Sequence, residues 1–439
     1  MTTRSNALPP APADRLRPGS WALPLVLAGN MLLDALEVST VLVALPTMVD
    51  ALGISLWTAQ WLMTGFALGF ALLLLSGRKV TARWGRRRAY LTALGVFALA
   101  SVIGGLTDSA LLLIATRVVK GACAALTVPI GLAIITTSLR DEHEQRRAVS
   151  LYAFLGAAGF STGVLLAGAL TPASWRWTFL LPALAASALL VPAHRLVPRD
   201  MPEGPVGGAG GTMRPPLLRN GPFIRSALAA ATLNGTYLSM LLVVVPHGQT
   251  QLGWSPWECA LALLPACLPP VAATPFAARM VAACGTRRLV ALGAMAALAG
   301  YGLLLRHDAP RSYLTDVLPT LALLGLAFVL SFAALNMQAV SEVPARARPV
   351  AVPLYQTAVQ GGAALMLPAV ALLLSGDGGT RPAVVLVVAV GALGAAVALL
   401  GRGGGARPGE GPRSMSAGEA DGTPERTAGD ADPSAPGTA

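Results

Sequence analysis

The stretch LLDALEVSTVLVALP, residues 32–46, places two carboxylates, Asp34 and Glu37, three residues apart in a run from Trp21 to Met48 that is otherwise uncharged. On a helix, residues i and i+3 share a face, and Asn30 lies one turn below them. Each charge costs roughly 2.5–3.5 kcal/mol at mid-bilayer on insertion scales. Two like charges about 5.5 Å apart repel by about 3 kcal/mol at an effective dielectric of about 20. The chemistry open to such a pair is proton uptake and release. One carboxyl should hold a proton unless a cation stands close by, and its occupancy should follow changes in its surroundings.

Two cations interrupt another apolar run, IATRVVKGACAA (114–125): Arg117 and Lys120, again three residues apart. At a 1.5 Å rise per residue, Asp34 lies roughly 20 Å and Glu37 roughly 24 Å above the inner end of the first span. Arg117, on a span running the other way, lies about 18 Å above the inner face of an apolar layer about 30 Å thick. The levels meet within a few ångström. A permanent structural pairing of acid and cation remains the plain alternative to proton exchange. Lys120 keeps three roles open: offsetting the second carboxylate, contacting an anionic substrate, or snorkelling.

Other chemistry is poorly supported. There is no GxxxxGK[ST] phosphate loop, so the proton, and no bound cofactor, is the expected source of drive. Cys123, Cys259, Cys267 and Cys284 lack metal-ligand spacing and are expected as buried free thiols. His143, His194, His247 and His307 do not cluster, so neither a metal site nor a histidine relay is expected. A membrane-embedded enzyme, such as a lipid-modifying acyltransferase, would need a nucleophile beside a base, and no such grouping of His with Ser, Cys or Asp appears.

The elements that must position the four charges follow from composition. Of 439 residues, 54% are hydrophobic and 12% charged, against roughly 25% charged in soluble domains, which makes this a membrane protein. Twelve apolar runs are long enough to span: 21–47, 56–77, 89–107, 109–138, 148–170, 177–197, 222–246, 255–280, 286–305, 314–340, 350–375 and 381–401. The expected fold is all-α, two six-helix halves over 21–197 and 222–401 joined by a cytoplasmic linker, 198–221. Disordered cytoplasmic ends, 1–20 and 402–439, should flank them. The formal charge of +11 sits in short clusters between spans, such as RKVTARWGRRR (78–88), which suits orientation in a bilayer and not nucleic acid. With both termini cytoplasmic, about 26 of the 32 Arg and Lys residues fall inside, and Trp57, Trp61, Trp175, Trp177, Trp254 and Trp257 gather at the outer face. Glu258 and Asp316 fall at outer helix ends, where solvated caps are expected. RWGRRRAYL (83–91) and ACGTRRLVA (283–291) align on Gly85 and Gly285, 200 residues apart, as an internal repeat would place them.

These motifs resemble the drug:proton antiporters of the major facilitator superfamily over nearly the whole chain, from about 21 to 400. LEVSTVLVALP (36–46) is similar to the first-helix signature LDxTIVNVALP, with Glu37 in place of Asp. TARWGRRR (81–88) resembles the loop motif GxLaDrxGRRR, and IATRVVKGACAA resembles RxxqG, with Lys120 replacing Gln. SWRWTFLLP (174–182) and LGWSPWECALALLP (252–265) are close to the sixth-helix signature and to lGySPleaGlallP. The resemblance implies a central cavity lined by the first and fourth spans, with a helix-1 acid paired to Arg117. It also implies a gating loop built on Arg83, Gly85, Arg86, Arg87, Arg88, Gly285, Arg287 and Arg288. Three departures stand out. Ala82 and Ala282 replace the loop acid that takes part in a charged latch in the family. GAAGFSTG (156–163) keeps Gly156, Gly159 and Gly163 of the helix-5 motif but carries Phe160 where the family has Pro.

The expected function is export of small lipophilic compounds, cationic ones among them, in exchange for protons across a bacterial cytoplasmic membrane by a monomer. Asp34, Glu37 and Arg117 are the expected coupling residues. Asn30, Asp34, Glu37, Lys120, Asn234, Tyr237, Asn336, Gln338, Tyr355, Gln356 and Gln360 are candidates for substrate contact, although polar residues in spans also serve helix–helix hydrogen bonds. A proton-coupled metabolite carrier and a non-transporting membrane sensor are the rival readings.

Overall fold

The structure, a computed structural model, describes residues 21–139, 141–199, 217, 219–306, 312–341, 343–344, 347–376 and 379–400. The expectations for 1–20, for most of the linker 198–221, for 402–439 and for His307 fall outside these residues. Among the described residues, twelve helices are long and apolar enough to cross a membrane: α1 Ala22–Leu52, α2 Leu56–Trp84, α3 Arg86–Leu106, α4 Ala110–Ser138, α5 Glu142–Leu170 and α6 Trp177–Leu196. The second half adds α7 Gly221–Thr250, α8 Pro256–Cys284, α9 Thr286–Leu304, α10 Tyr313–Ser341, α11 Arg348–Leu374 and α12 Arg381–Leu399. The chain is a multi-pass membrane protein.

Polar residues start the helices where the sequence places them. Ser109 Oγ accepts from Leu112 N, Asp141 from Glu144 N, and Asn220 from Phe223 N. Ser255 and Glu258 form a reciprocal capping box on α8, so Glu258 is the exposed cap expected of it. Asp316 corrects the expectation: it caps locally, accepting from Ser312 N and the Thr315 hydroxyl, but a one-turn π segment at Tyr313–Val317 folds it inward and only 8% remains exposed. Cys284 is a second correction, for it is exposed at the end of α8 while the other three thiols are buried.

The repeat is visible in the backbone. Gly53 and Gly253 both take positive φ, at 60° and 68°, and two residues later Ser55 and Ser255 cap the next helix in each half. Gly85 and Gly285 turn the chain between α2 and α3 and between α8 and α9 with φ of 78° and 77°, a conformation that favours glycine. Helix pairings repeat in the same way: α1 packs on α5 as α7 packs on α11, and α2 crosses to α11 as α8 crosses to α5.

Where the apolar side chains cluster decides the shape of the bundle. One buried core spans both halves, joining Val41–Met48 of α1 to Tyr237–Val245 of α7 and to the facing ends of α2, α8, α9 and α10. At the opposite end the halves have separate cores, one from Val26–Leu36 of α1 with α3, α4, α5 and α6, the other from α7, α9, α10 and α11. The halves are sealed together at the end that carries the C-terminus of α1, and each closes on itself at the other end. Asp34 and Glu37 lie at the junction, between the last residues of the separate core and the first of the shared one.

Candidate functional site

Helices α1 and α4 run antiparallel, and their polar residues meet as a two-rung ladder. On α1 the rungs are Asp34, with Asn30 one turn below it, and Glu37. Facing them on α4 are Thr127 at the first rung and Lys120 and Arg117 at the second, at i+10, i+3 and i of one helical stripe. Thr127 Oγ1 donates to Asp34 Oδ2 at 2.8 Å, and Asn30 Nδ2 donates to the same oxygen at 3.0 Å. Glu37 takes both cations. Its Oε2 is paired with the Arg117 guanidinium, and its Oε1 lies 2.7 Å from Lys120 Nζ, a charge contact rather than an aligned hydrogen bond.

The guanidinium is fixed on further sides. Arg117 Nε donates to the Leu62 carbonyl of α2 at 2.8 Å and Nη2 donates to the Glu37 carbonyl at 2.9 Å, while the Phe66 ring lies 4.9 Å from its central carbon. Lys120 Nζ sits between two rings, 5.1 Å from the centroid of Phe97 on α3 and 5.0 Å from that of Phe179 on α6. Gly104 makes room for this cage, since a Cβ there would run into the Phe179 ring. Glu37, Arg117 and Lys120 have no exposed surface and Asp34 keeps 6%. Breaking such a buried pair by removing one partner costs about 3–5 kcal/mol, because a charge is left alone. Among the described residues no cation pairs with Asp34; Tyr90 of α3, Cys123 of α4 and Tyr152 of α5 lie within its electrostatic reach.

Glycines bring the neighbouring helix against this ladder. A Cβ on Gly156 would meet the Met31 side chain, one on Gly159 the Leu32 carbonyl, and one on Gly163 the Leu36 carbonyl and the Ser39 hydroxyl. The helix-5 motif is therefore the face on which α5 touches α1, alongside Asp34. Ser39 Oγ donates to the Phe160 carbonyl at 2.7 Å, and the Phe160 ring reaches across to Tyr237 of the second half, 6.1 Å between centroids. Tyr237 packs on Phe328 at 4.9 Å, and Phe328 stacks on Phe332 at 4.7 Å.

The remaining candidates are scattered. Asn234 Nδ2 donates to the Val359 carbonyl at 3.0 Å and approaches Gln360 Oε1 at 3.5 Å, joining α7 to α11. Tyr237 donates to the Ala266 carbonyl of α8 at 3.2 Å. Asn336, Gln338 and Gln356 are half-buried, and Tyr355 lies in the separate core of the second half with no hydrogen bond to its hydroxyl. At the loop motif, Arg87 donates to the His194 and Val197 carbonyls and so caps the C-terminus of α6. Arg83 and Arg88, with Arg287 and Arg288 in the second loop, are exposed; Arg86 is half-buried. Thr127, Phe66 and Phe97 join the site without a sequence motif that names them, and Phe179 lies within the SWRWTFLLP signature without being singled out there. The stripe 117, 120, 127 carries a signal for Thr127; the rings come from three different helices and share no spacing.

The sequence profile of the Major Facilitator Superfamily matches residues 27–367. A puromycin resistance protein, pur8, of Streptomyces alboniger is 29% identical over 435 residues, covering 83% of this chain and 84% of that protein. The cephamycin export protein CmcT of Amycolatopsis lactamdurans is 36% identical over 173 residues, which span 39% of this chain and 36% of that protein. Among solved structures, a bacterial homologue of the human lysosomal transporter Spinster, in an inward-facing and occupied conformation, superposes with a TM-score of 0.71 at 17% identity, covering 88% of this chain and 97% of the other.

Proposed function

This chain belongs to the Major Facilitator Superfamily, and from that premise we propose that it exports small lipophilic compounds, cationic ones among them, from a bacterial cell in exchange for protons. Asp34 is the observation that carries the reading. It is a buried carboxyl, held by an amide and a hydroxyl and, among the described residues, by no cation, on the helix that runs from the separate core of one half into the core that both halves share. A carboxyl held only by neutral donors can lose and regain its proton without breaking an ion pair. A change in its charge acts on α1, α4 and α5 together, at the junction where the halves must part or close. Names of relatives that include puromycin resistance and cephamycin export support the substrate class and the direction.

In this scheme the protein works as a monomer in the cytoplasmic membrane with both termini inside, and the sealed end is the outer one, which would leave the end with separate cores facing the cytoplasm. A substrate enters between the halves when Asp34 is ionised. After the halves rock about the shared region, Asp34 takes a proton from outside, substrate leaves, and the protonated carrier returns. Proton release inside completes the cycle. Arg117 holds Glu37 and the α2 backbone, which ties the acid pair to the helix that crosses to α11.

Puromycin is the natural first probe. In everted membrane vesicles, the full-length chain should drive puromycin inward when the lumen is acid, and Asp34→Asn should remove that dependence while the protein level is unchanged. Puromycin accumulation that ignores the pH gradient in the wild type would refute the reading. Accumulation of a metabolite in place of any lipophilic compound would favour the carrier alternative.

A further inference from the structure

We propose that Lys120 is a positioning residue that keeps Glu37 an anion, so that Asp34 is the only carboxyl of the pair to exchange a proton and each transport cycle carries one. The transport cycle invoked here rests on the proton-coupled reading above; the arrangement of the charges does not. A single carboxylate, Glu37, lies against two cations that approach different oxygens, Arg117 at Oε2 and Lys120 at Oε1. All three side chains are sealed from solvent.

Consider what a proton on Glu37 would do. It would leave Arg117 and Lys120 facing one another in the middle of the half with no anion between them, and neither can withdraw. Arg117 is tied to the Leu62 and Glu37 carbonyls, and Lys120 is enclosed by Phe97, Phe179 and the packed α4 backbone. With glutamine at position 120, the residue that the family motif carries there, Glu37 would face one cation and its proton would compete with one ion pair. Lys120 doubles that pairing. The ring faces on either side of Nζ present partial negative charge to it, so the ammonium is held in place without an outlet to water.

Asp34 is treated differently by the same helices. Its donors are the Asn30 amide and the Thr127 hydroxyl, both neutral and both able to serve either form of the acid, and of the two acids it is the one that keeps a trace of exposed surface. The titratable and charged groups around the pair are Arg117, Lys120 and Cys123 from α4, Tyr90 from α3 and Tyr152 from α5. The exchange step is one bond: the Asp34 O–H breaks, the electron pair stays on the carboxylate, and the proton leaves to water on the side where the halves are apart.

Infrared pH-difference spectroscopy on the purified full-length chain in lipid bilayers reads this without a transported ligand, through the carbonyl stretch of buried, protonated carboxyls. The wild type should show one such band, lost in Asp34→Asn and kept in Glu37→Gln. Lys120→Gln should add a second band that a further Glu37→Gln removes, whereas Lys120→Arg, which keeps the charge, should show one. A wild-type band that disappears with Glu37→Gln, or a folded Lys120→Gln protein with no second band, overturns the proposal. If Lys120→Gln does not fold, Lys120→Met takes its place, with the same second band expected and its absence from a folded protein again overturning the proposal. Pumping of puromycin that ignores pH would refute the transport reading and leave these band assignments standing, so the two failures are told apart.

Discussion

The two halves share a backbone plan and differ in what fills it. Between α1, α3, α4 and α6 the first half encloses Glu37, Arg117 and Lys120 behind phenylalanine rings. In the second half the matching space between α7, α9, α10 and α12 is a cavity of about 30 Å³ lined by Thr232, Thr236, Tyr301, Ser331 and small apolar residues. Two hundred residues after Asp34 and Glu37 stand Asn234 and Tyr237, which hydrogen-bond the α11 and α8 backbones. Close packing is common to both halves: glycines of α5 meet α1, and Gly362 of α11 meets the Ala231 carbonyl of α7. The two halves keep the same frame, but the buried Glu37–Arg117–Lys120 cluster belongs to the first, while the buried acid of the second, Asp316, sits at a helix end. A coupling device requires buried charge; a rocking partner requires only shape.

Substitutions at matched positions sharpen or break that comparison. The largest effect belongs to Glu37→Ala, which strands two buried cations and should destabilise by about 3–5 kcal/mol, seen as a large loss in thermal stability of the purified protein. An overpacking change, Gly163→Ala against the Leu36 carbonyl, should cost about 1–3 kcal/mol, and Gly362→Ala in the other half should cost a similar amount. Equal penalties would support a common frame, and a penalty confined to the first half would break it. Gly85→Ala and Gly285→Ala, each at positive φ, should cost about 1–3 kcal/mol and again match one another. Smallest is Tyr237→Phe, which removes one hydrogen bond to Ala266 and should change stability by about 0.5–1.5 kcal/mol, well short of the Glu37→Ala loss at the equivalent position.

Much of this frame is legible in the amino-acid sequence. Runs of apolar residues locate all twelve spans because lipid leaves no other solution for the backbone, and Gly85 and Gly285 mark the same turn because only glycine takes that φ cheaply. Helical period and depth allow Asp34 and Glu37 to meet α4, and the family resemblance implies that they do. Which acid takes the cations is not legible, since a fraction of a turn in the rotation of α1 decides it, and side chains on other helices set that rotation. The cage of Phe66, Phe97 and Phe179 draws on α2, α3 and α6, and no spacing within one helix announces it. Asp316 escapes a reading by position for a related reason, because a single π turn carries a helix-end acid inward.

Proton movement across the membrane is the direct test of where coupling resides. Proteoliposomes carrying the full-length chain and a pH-sensitive dye in the lumen should report a proton flux when puromycin is added outside. Asn234→Leu should keep that flux and Asp34→Asn should abolish it, with both proteins inserted equally. Proton flux that survives Asp34→Asn would contradict the assignment of coupling to the first half.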